Sequence, residues 1–200
     1  MPPFPIDPRL EGWLEALLVT PGLTAIRERA EAFRVHVEES LAALDHVRRF
    51  GGAVIDVGSG GGAPGLPLAV MLPEREVTLL EASRRKCSFL ELATSELPNV
   101  RVVCGRAEEQ QPDRFGVAVA KALASPPVAL EWSLPLVAPG GAAILYVGPS
   151  AEVDRVARVA EQLGGARPEA WPGLLVVPKV EPTPPGFPRR PGVARKRPLA

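Results

Sequence analysis

A chain of 200 residues with 46% hydrophobic side chains is long enough to bury a core and short enough to form one domain. Its 23 basic and 23 acidic residues cancel, which excludes a globally basic nucleic-acid-binding chain and confines any polyanion-binding surface to a local cluster. The two cysteines, Cys87 and Cys104, lack metal-ligand spacing and sit in apolar periodic surroundings, so buried reduced thiols and no metal site are expected.

The start, "MPPFPIDPRLEGWLEALL", has no basic region followed by an apolar one, and no stretch approaches the roughly 18 apolar residues that span a bilayer. A cytoplasmic monomer without a membrane partner is the expectation. From Asp7 to about Phe50 the pattern is helical, with Leu10, Leu14, Leu17 and Leu18 on one stripe and Phe33, Val37, Leu41 and Leu44 on another. Residues 1–50 therefore read as a helical extension. Beyond them "AVIDV", "EVTLLE", "VRVVCG", "FGVAVAKA" and "GAAILYV" are short β-branched runs, several of them separated by helix-like segments such as "SRRKCSFLELATSEL" and "SAEVDRVARVAEQL". This alternation predicts an α/β, doubly wound, mostly parallel sheet over residues 51–181. "GLLVVPKV" is the last apolar run, and residues 182–200, within "EPTPPGFPRRPGVARKRPLA", read as an extended Pro-rich basic tail.

The stretch "VIDVGSGGGAPGLPLAV" fits the first strand-to-helix turn of such a sheet: a strand from Ala53 to Val57, a loop Gly58 to Gly62, and a helix starting near Pro64. Gly58 and Gly60 permit backbone angles closed to other residues and let a ligand approach the main chain, with Ser59 between them. Gly62 and Ala63 keep the helix close to its strand. A nucleotide-like ligand is expected. Asp56, two residues before Gly58, would repel a pyrophosphate but suits the cationic amino-acid end of S-adenosylmethionine. Glu81 closes the second strand, where a carboxylate can accept hydrogen bonds from both ribose hydroxyls. Ribose occurs in both candidate ligands, so Glu81 supports the site without choosing between them.

These residues resemble the ribosomal RNA small subunit methyltransferase G family. The resemblance rests on "DVGSGGGAPGLPLAV", "LTAIRE" at Leu23–Glu28, "HVEESL" at His36–Leu41, "LLEASRRKCSFLE" at Leu79–Glu91 and "FPRRPGVARKRPL" at Phe187–Leu199. It implies a Rossmann-like methyltransferase that uses S-adenosylmethionine to make N7-methylguanosine in small-subunit (16S) ribosomal RNA, with ribosomal RNA or the small ribosomal subunit as partner. It also implies cofactor contacts at Gly58 and Ala63, a ribose contact at Glu81, and Ala107-Glu108 beside the adenine. Lys121 stands at the end of the fourth strand, beside the substrate, where the family usually has arginine. A compact ammonium there replaces a planar, bidentate guanidinium. Val147-Gly148 stands where the family commonly has Lys-Gly, and Gly22 replaces the asparagine usual before Leu-Thr-Ala-Ile.

Guanine N7 carries an in-plane lone pair and no proton, so attack on a sulfonium methyl needs no general base. No catalytic dyad is expected; orientation carries the reaction. His36 and Lys121 are candidates for holding RNA. Arg189, Arg190, Arg195, Lys196 and Arg197 form an acid-free basic cluster suited to phosphates, with Arg189 and Arg190 in the family motif. Two alternatives stay open: a relative that binds S-adenosylmethionine or RNA without this methylation, motivated by Lys121 and Val147, and a nicotinamide-dependent oxidoreductase. The second is disfavoured by Asp56 and by the lack of a Tyr-x-x-x-Lys pair.

Overall fold

The structure is a computed structural model and describes residues 7–200. Asp7 caps the first helix, α1 (Pro8–Val19), by accepting a hydrogen bond from the Arg9 amide at 2.9 Å, and Pro8 occupies its first turn. Leu10, Trp13, Leu14 and Leu17 are its buried stripe. Short helices follow: α2 (Arg29–Phe33), a π-helical turn over Arg34–Glu38, α3 (Glu39–Leu41) and α4 (Leu44–Arg48).

The core alternates strands and helices: β1 (Val54–Val57), α5 (Gly65–Met71), β2 (Val77–Glu81), α6 (Arg84–Ala93), β3 (Val100–Cys104), β4 (Phe115–Lys121), α7 (Pro126–Ser133), β5 (Val137–Tyr146) and α8 (Val153–Gln162). A closing pair, β6 (Glu169–Trp171) and β7 (Leu174–Pro178), precedes the four-residue α9 (Val193–Lys196). The seven strands form one sheet in the order β3-β2-β1-β4-β5-β7-β6. The first five are parallel, and β7 runs antiparallel to both β5 and β6. Every residue of β1 is buried, as a parallel strand covered on both faces requires.

One face, with Ile55, Val57, Ala118, Ala120 and Leu145, packs with Leu130, Leu134, Val156 and Val159. The other, with Val54, Val117, Val119 and Ile144, packs with Leu68, Leu72, Leu90 and Val47. Helix α1 lies outside this second layer, where its stripe meets Leu66, Val70 and Leu97.

The cysteine expectation is overturned: Cys87 and Cys104 are joined as a disulfide. The physical reason is register. Cys104 ends β3 directly opposite Glu81 at the end of β2, and α6 starts three residues beyond Glu81 and brings buried Cys87 back over that edge. Their Cα atoms are 5.8 Å apart, within disulfide reach. Residues 182–200 are not a free tail: Phe187, Ala194, Leu199 and Ala200 pack against the α7–α8 side of the core. The prolines that forbid regular structure are legible in the sequence, whereas the apolar surface that receives Phe187 and Leu199 forms only in the fold.

Candidate active site

In this strand order the connection reverses between β1 and β4, and ligands of doubly wound sheets bind outside the carboxyl ends of the strands at that point. Three cavities meet there. The first, about 330 Å³, is lined by Gly58, Glu81, Lys86, Ala107 and Glu108 together with Trp132. The second, about 290 Å³, is lined by the glycine loop (Gly58, Ser59, Gly60, Gly61, Ala63), by His36 and by Lys121. Gly58, Lys86 and Ala122 belong to both walls, so the two are lobes of one cleft. The third, about 510 Å³, is lined by Glu39, Lys121, Ala122, Tyr146, Val147 and Leu174 among others. Ala122 borders all three, at φ 52, a left-handed conformation uncommon for a residue with a side chain.

Glu81 does more than face the first cavity. One carboxylate oxygen accepts from the Gly60 amide at 2.9 Å and the other from the Ser83 amide at 2.8 Å, so it ties the glycine loop to the end of β2. Each oxygen keeps a further lone pair for a ligand hydroxyl. Gly58 has φ 77, and a side chain there would collide with Leu123. The positive φ is what calls for glycine here, since the Leu123 side-chain end could move aside.

Two expected contacts lie elsewhere. Asp56 is buried beneath the loop and lines none of the three cavities: one carboxylate oxygen accepts from the Gly65 amide at 2.9 Å, and the other is buried without a protein partner. Strand alternation turns residue 56 toward α5 and residues 55 and 57 toward the opposite layer. Burial pushes its pKa up to about 7, partly offset by the Gly65 amide and Ser59. Gly62 also lies outside the cavity walls and faces Trp13 of α1. The indole N–H of Trp13 donates to the Gly61 carbonyl at 2.8 Å, so the N-terminal helix pins the glycine loop. Periodicity alone does not point to Trp13; the signal in the sequence is an indole on a helix stripe, whose N–H needs an acceptor when buried. Gly22 has φ 73, a conformation that asparagine also tolerates, so this departure from the family preserves the turn.

Lys121 stands where the second and third cavities meet. Its ammonium donates to the Val35 carbonyl, lies 3.1 Å from a Glu39 oxygen and sits 5.8 Å from the centre of the Tyr146 ring. Val35 lies within the π-helical turn. His36, in the same turn, shares a 3.0 Å hydrogen bond between Nε2 and the Thr24 hydroxyl. Burial, then the nearby Lys121 ammonium, lowers its pKa, and Glu39 opposes weakly. Val147 lines the third cavity, so Lys121 and Val147 flank one space.

The basic cluster divides. Arg189 is not available to phosphate: its guanidinium pairs bidentately with the buried carboxylate of Glu131 at 2.5 and 2.6 Å. Arg190, Lys196 and Arg197 are exposed. Arg190 lines none of the cavities. Arg195 lies 5.2 Å from the centre of the Trp132 ring, in the wall of the first cavity. Among the described residues, no helix is long and apolar enough to cross a membrane.

A seven-stranded sheet of this order, with a glycine-loop cleft at the β1/β4 reversal, defines an S-adenosylmethionine-dependent methyltransferase fold. An S-adenosylmethionine-dependent O-methyltransferase from Thermotoga maritima superimposes with a TM-score of 0.61 over 82% of this chain and 73% of its own, at 16% identity. A T. thermophilus 16S rRNA N2 G1207 methyltransferase in complex with AdoMet and guanosine does so with a TM-score of 0.51 over 68% and 37%, at 20% identity. The family model for rRNA small subunit methyltransferase G matches residues 10–167. Ribosomal RNA small subunit methyltransferase G of Moorella thermoacetica is 39% identical over 197 residues, covering 88% of this chain and 82% of its own. That of Carboxydothermus hydrogenoformans is 36% identical, covering 88% and 83%. The chain belongs to the rRNA small subunit methyltransferase G family and is an S-adenosylmethionine-dependent rRNA methyltransferase. The nicotinamide-dependent alternative falls with that membership.

Proposed function

We propose that the protein methylates N7 of a guanine in small-subunit (16S) ribosomal RNA, with the cofactor along the two-lobed cleft and the guanine in the third cavity. The observation that carries the reading is the meeting of all three spaces at Ala122, with Lys121 between the second and the third, since methyl transfer needs donor and acceptor in line across one point. The residues fit the cofactor. Ala107 and Glu108 would flank adenine, Glu81 would hold the ribose hydroxyls, and Gly58, Ser59, Gly60 and Ala63 would admit the amino-acid end. Lys86, in both lobes, would face its carboxylate. When bound, the cofactor supplies an electrophilic methyl on a sulfonium.

The chain's own work is orientation and electrostatics. Lys121, fixed by Val35 and Glu39, can donate to guanine O6 and leave N7 free to attack. The Tyr146 ring and the Glu39 carboxylate in the same cavity favour the cationic base that forms. No group must accept a proton, and His36, kept below its usual pKa, holds a structural hydrogen bond to Thr24 instead. His36 borders the second lobe, where it would contact cofactor or RNA sugar. The small ribosomal subunit, as a particle or as free RNA, is the proposed partner.

The test is single-turnover transfer of labelled methyl to small subunits and to naked 16S rRNA, followed by strand cleavage selective for N7-methylguanine. Label that appears in RNA but resists this cleavage would overturn N7. No label in RNA, with cofactor binding intact, would favour a relative that binds without methylating.

A further inference from the structure

The C-terminal segment enters the cofactor cleft without lying in its sheet. It leaves β7 and is tied down at Thr183, whose amide and hydroxyl donate to Asp113 at 3.1 and 2.8 Å. Arg189 then clamps Glu131 of α7, and the Gly192 amide donates to Glu108 at 3.1 Å. At the far end the Ala200 carbonyl accepts from Arg155 of α8 at 2.6 Å. Between the last two ties lies α9, with Ala194 buried. Glu108 is thus held by the segment and is also part of the first cavity's wall, as are Gly192, Arg195 and Trp132.

The side chains at that wall suit a flat, electron-rich ring. Arg195 presents its guanidinium to the Trp132 indole at 5.2 Å from the ring centre, an aromatic–guanidinium face of the kind that stacks on purines. Trp132 is 8% exposed, and its indole N–H is buried without a protein acceptor. Arg195 itself is exposed on its outer side. The stretch from Gly192 to Lys196 is held by this stack, by the Gly192–Glu108 hydrogen bond and by buried Ala194, and Arg189 reaches past it to the Arg197 carbonyl at 2.8 Å.

We propose that Gly192 and Arg195 are cofactor-site residues: the C-terminal segment forms the outer wall of the adenine end, and an adenine nucleoside and this segment hold each other in place. The proposal rests on the placement of adenine in the first cavity. A bound cofactor then keeps the stretch around Arg195 seated.

The full-length chain is digested with trypsin, with and without saturating S-adenosylhomocysteine, and cleavage after Arg195 and Lys196 is followed by mass spectrometry. Ligand should slow these cuts about tenfold, because cleavage follows the population of the lifted segment. In parallel, Arg195→Ala should weaken S-adenosylhomocysteine about fivefold by calorimetry, with the ligand-free melting temperature unchanged. Equal digestion rates with and without bound ligand, or an unchanged affinity in Arg195→Ala, would overturn the proposal. A parent protein that gives no binding heat with S-adenosylhomocysteine would instead overturn the cofactor placement on which it rests.

Discussion

At the scale of single residues the sharpest difference from expectation is Asp56. A carboxylate at the head of the glycine loop is legible in sequence; the direction its side chain takes from the pleat is not, because one residue of register decides which layer receives it. Its folded pKa of about 7 exceeds the ordinary 3.8, so the folded state holds this proton more tightly than the unfolded chain does. Its contribution is therefore greatest below about pH 4 and is lost as pH rises toward 7, by an amount on the order of 4 kcal/mol. Asp56→Asn keeps an acceptor for the Gly65 amide and removes the charge. Urea denaturation from pH 5 to 8 should show the parent losing stability relative to this variant; parallel curves would show that Asp56 is ionised throughout. Lys121 and Val147 belong to the same scale. They flank the cavity proposed for guanine, so Lys121→Arg with Val147→Lys should raise the single-turnover methylation rate about tenfold if orientation of the base limits it, with bulk RNA affinity nearly constant. An unchanged rate would mean that the Lys121–Glu39 arrangement already orients its substrate.

At the scale of elements, hydrophobic periodicity located every strand of the parallel core, and the glycine loop fixed which strand came first. The strand predicted from Ala53 to Val57 begins at Val54, and Pro64 caps α5 instead of lying inside it. What periodicity could not give was contact between elements distant in sequence. Trp13 and Gly61 lie 48 residues apart, and Cys87 and Cys104 meet only because β2 and β3 are adjacent in parallel register. Trp13→Phe tests the first contact, since it keeps the packing and removes the donor to Gly61. It should cost about 1 kcal/mol of stability and weaken cofactor binding by a few-fold through a looser loop. Equal affinity would confine Trp13 to the core. The cysteine pair closes a sequence separation of 17, so reduction should lower stability by about 3 kcal/mol. Protein unfolded without reductant should show no free thiol to a thiol-reactive dye; two free thiols there would mean the pair is reduced.

At the scale of the whole molecule the C-terminal segment has fewer free cations than its composition suggests. Composition counted five cations in its last stretch, but burial removes one of them. Arg189 faces Glu131, which is 2% exposed, and an ion pair this deep is defined by what happens when one partner is lost. Arg189→Met should cost about 3 to 5 kcal/mol, because Glu131 is left as an unpaired buried charge, whereas Arg189→Met combined with Glu131→Leu should recover most of that loss. Neither change should alter the salt dependence of RNA binding. Arg190, Lys196 and Arg197 are the exposed cations that remain once Arg195 is assigned to Trp132. Replacing these three with glutamine should weaken binding across RNA sequences. It should also reduce the slope of log affinity against log salt by about 2 to 3 units, since each lost phosphate contact returns its share of counterion release. The measurement is a salt titration of 16S rRNA binding by parent, Arg189→Met/Glu131→Leu and the triple-glutamine variant. A slope that drops for the Arg189 pair and stays constant for the triple variant would reverse the assignment, placing phosphate at Glu131's partner and leaving the outer cations to solvent.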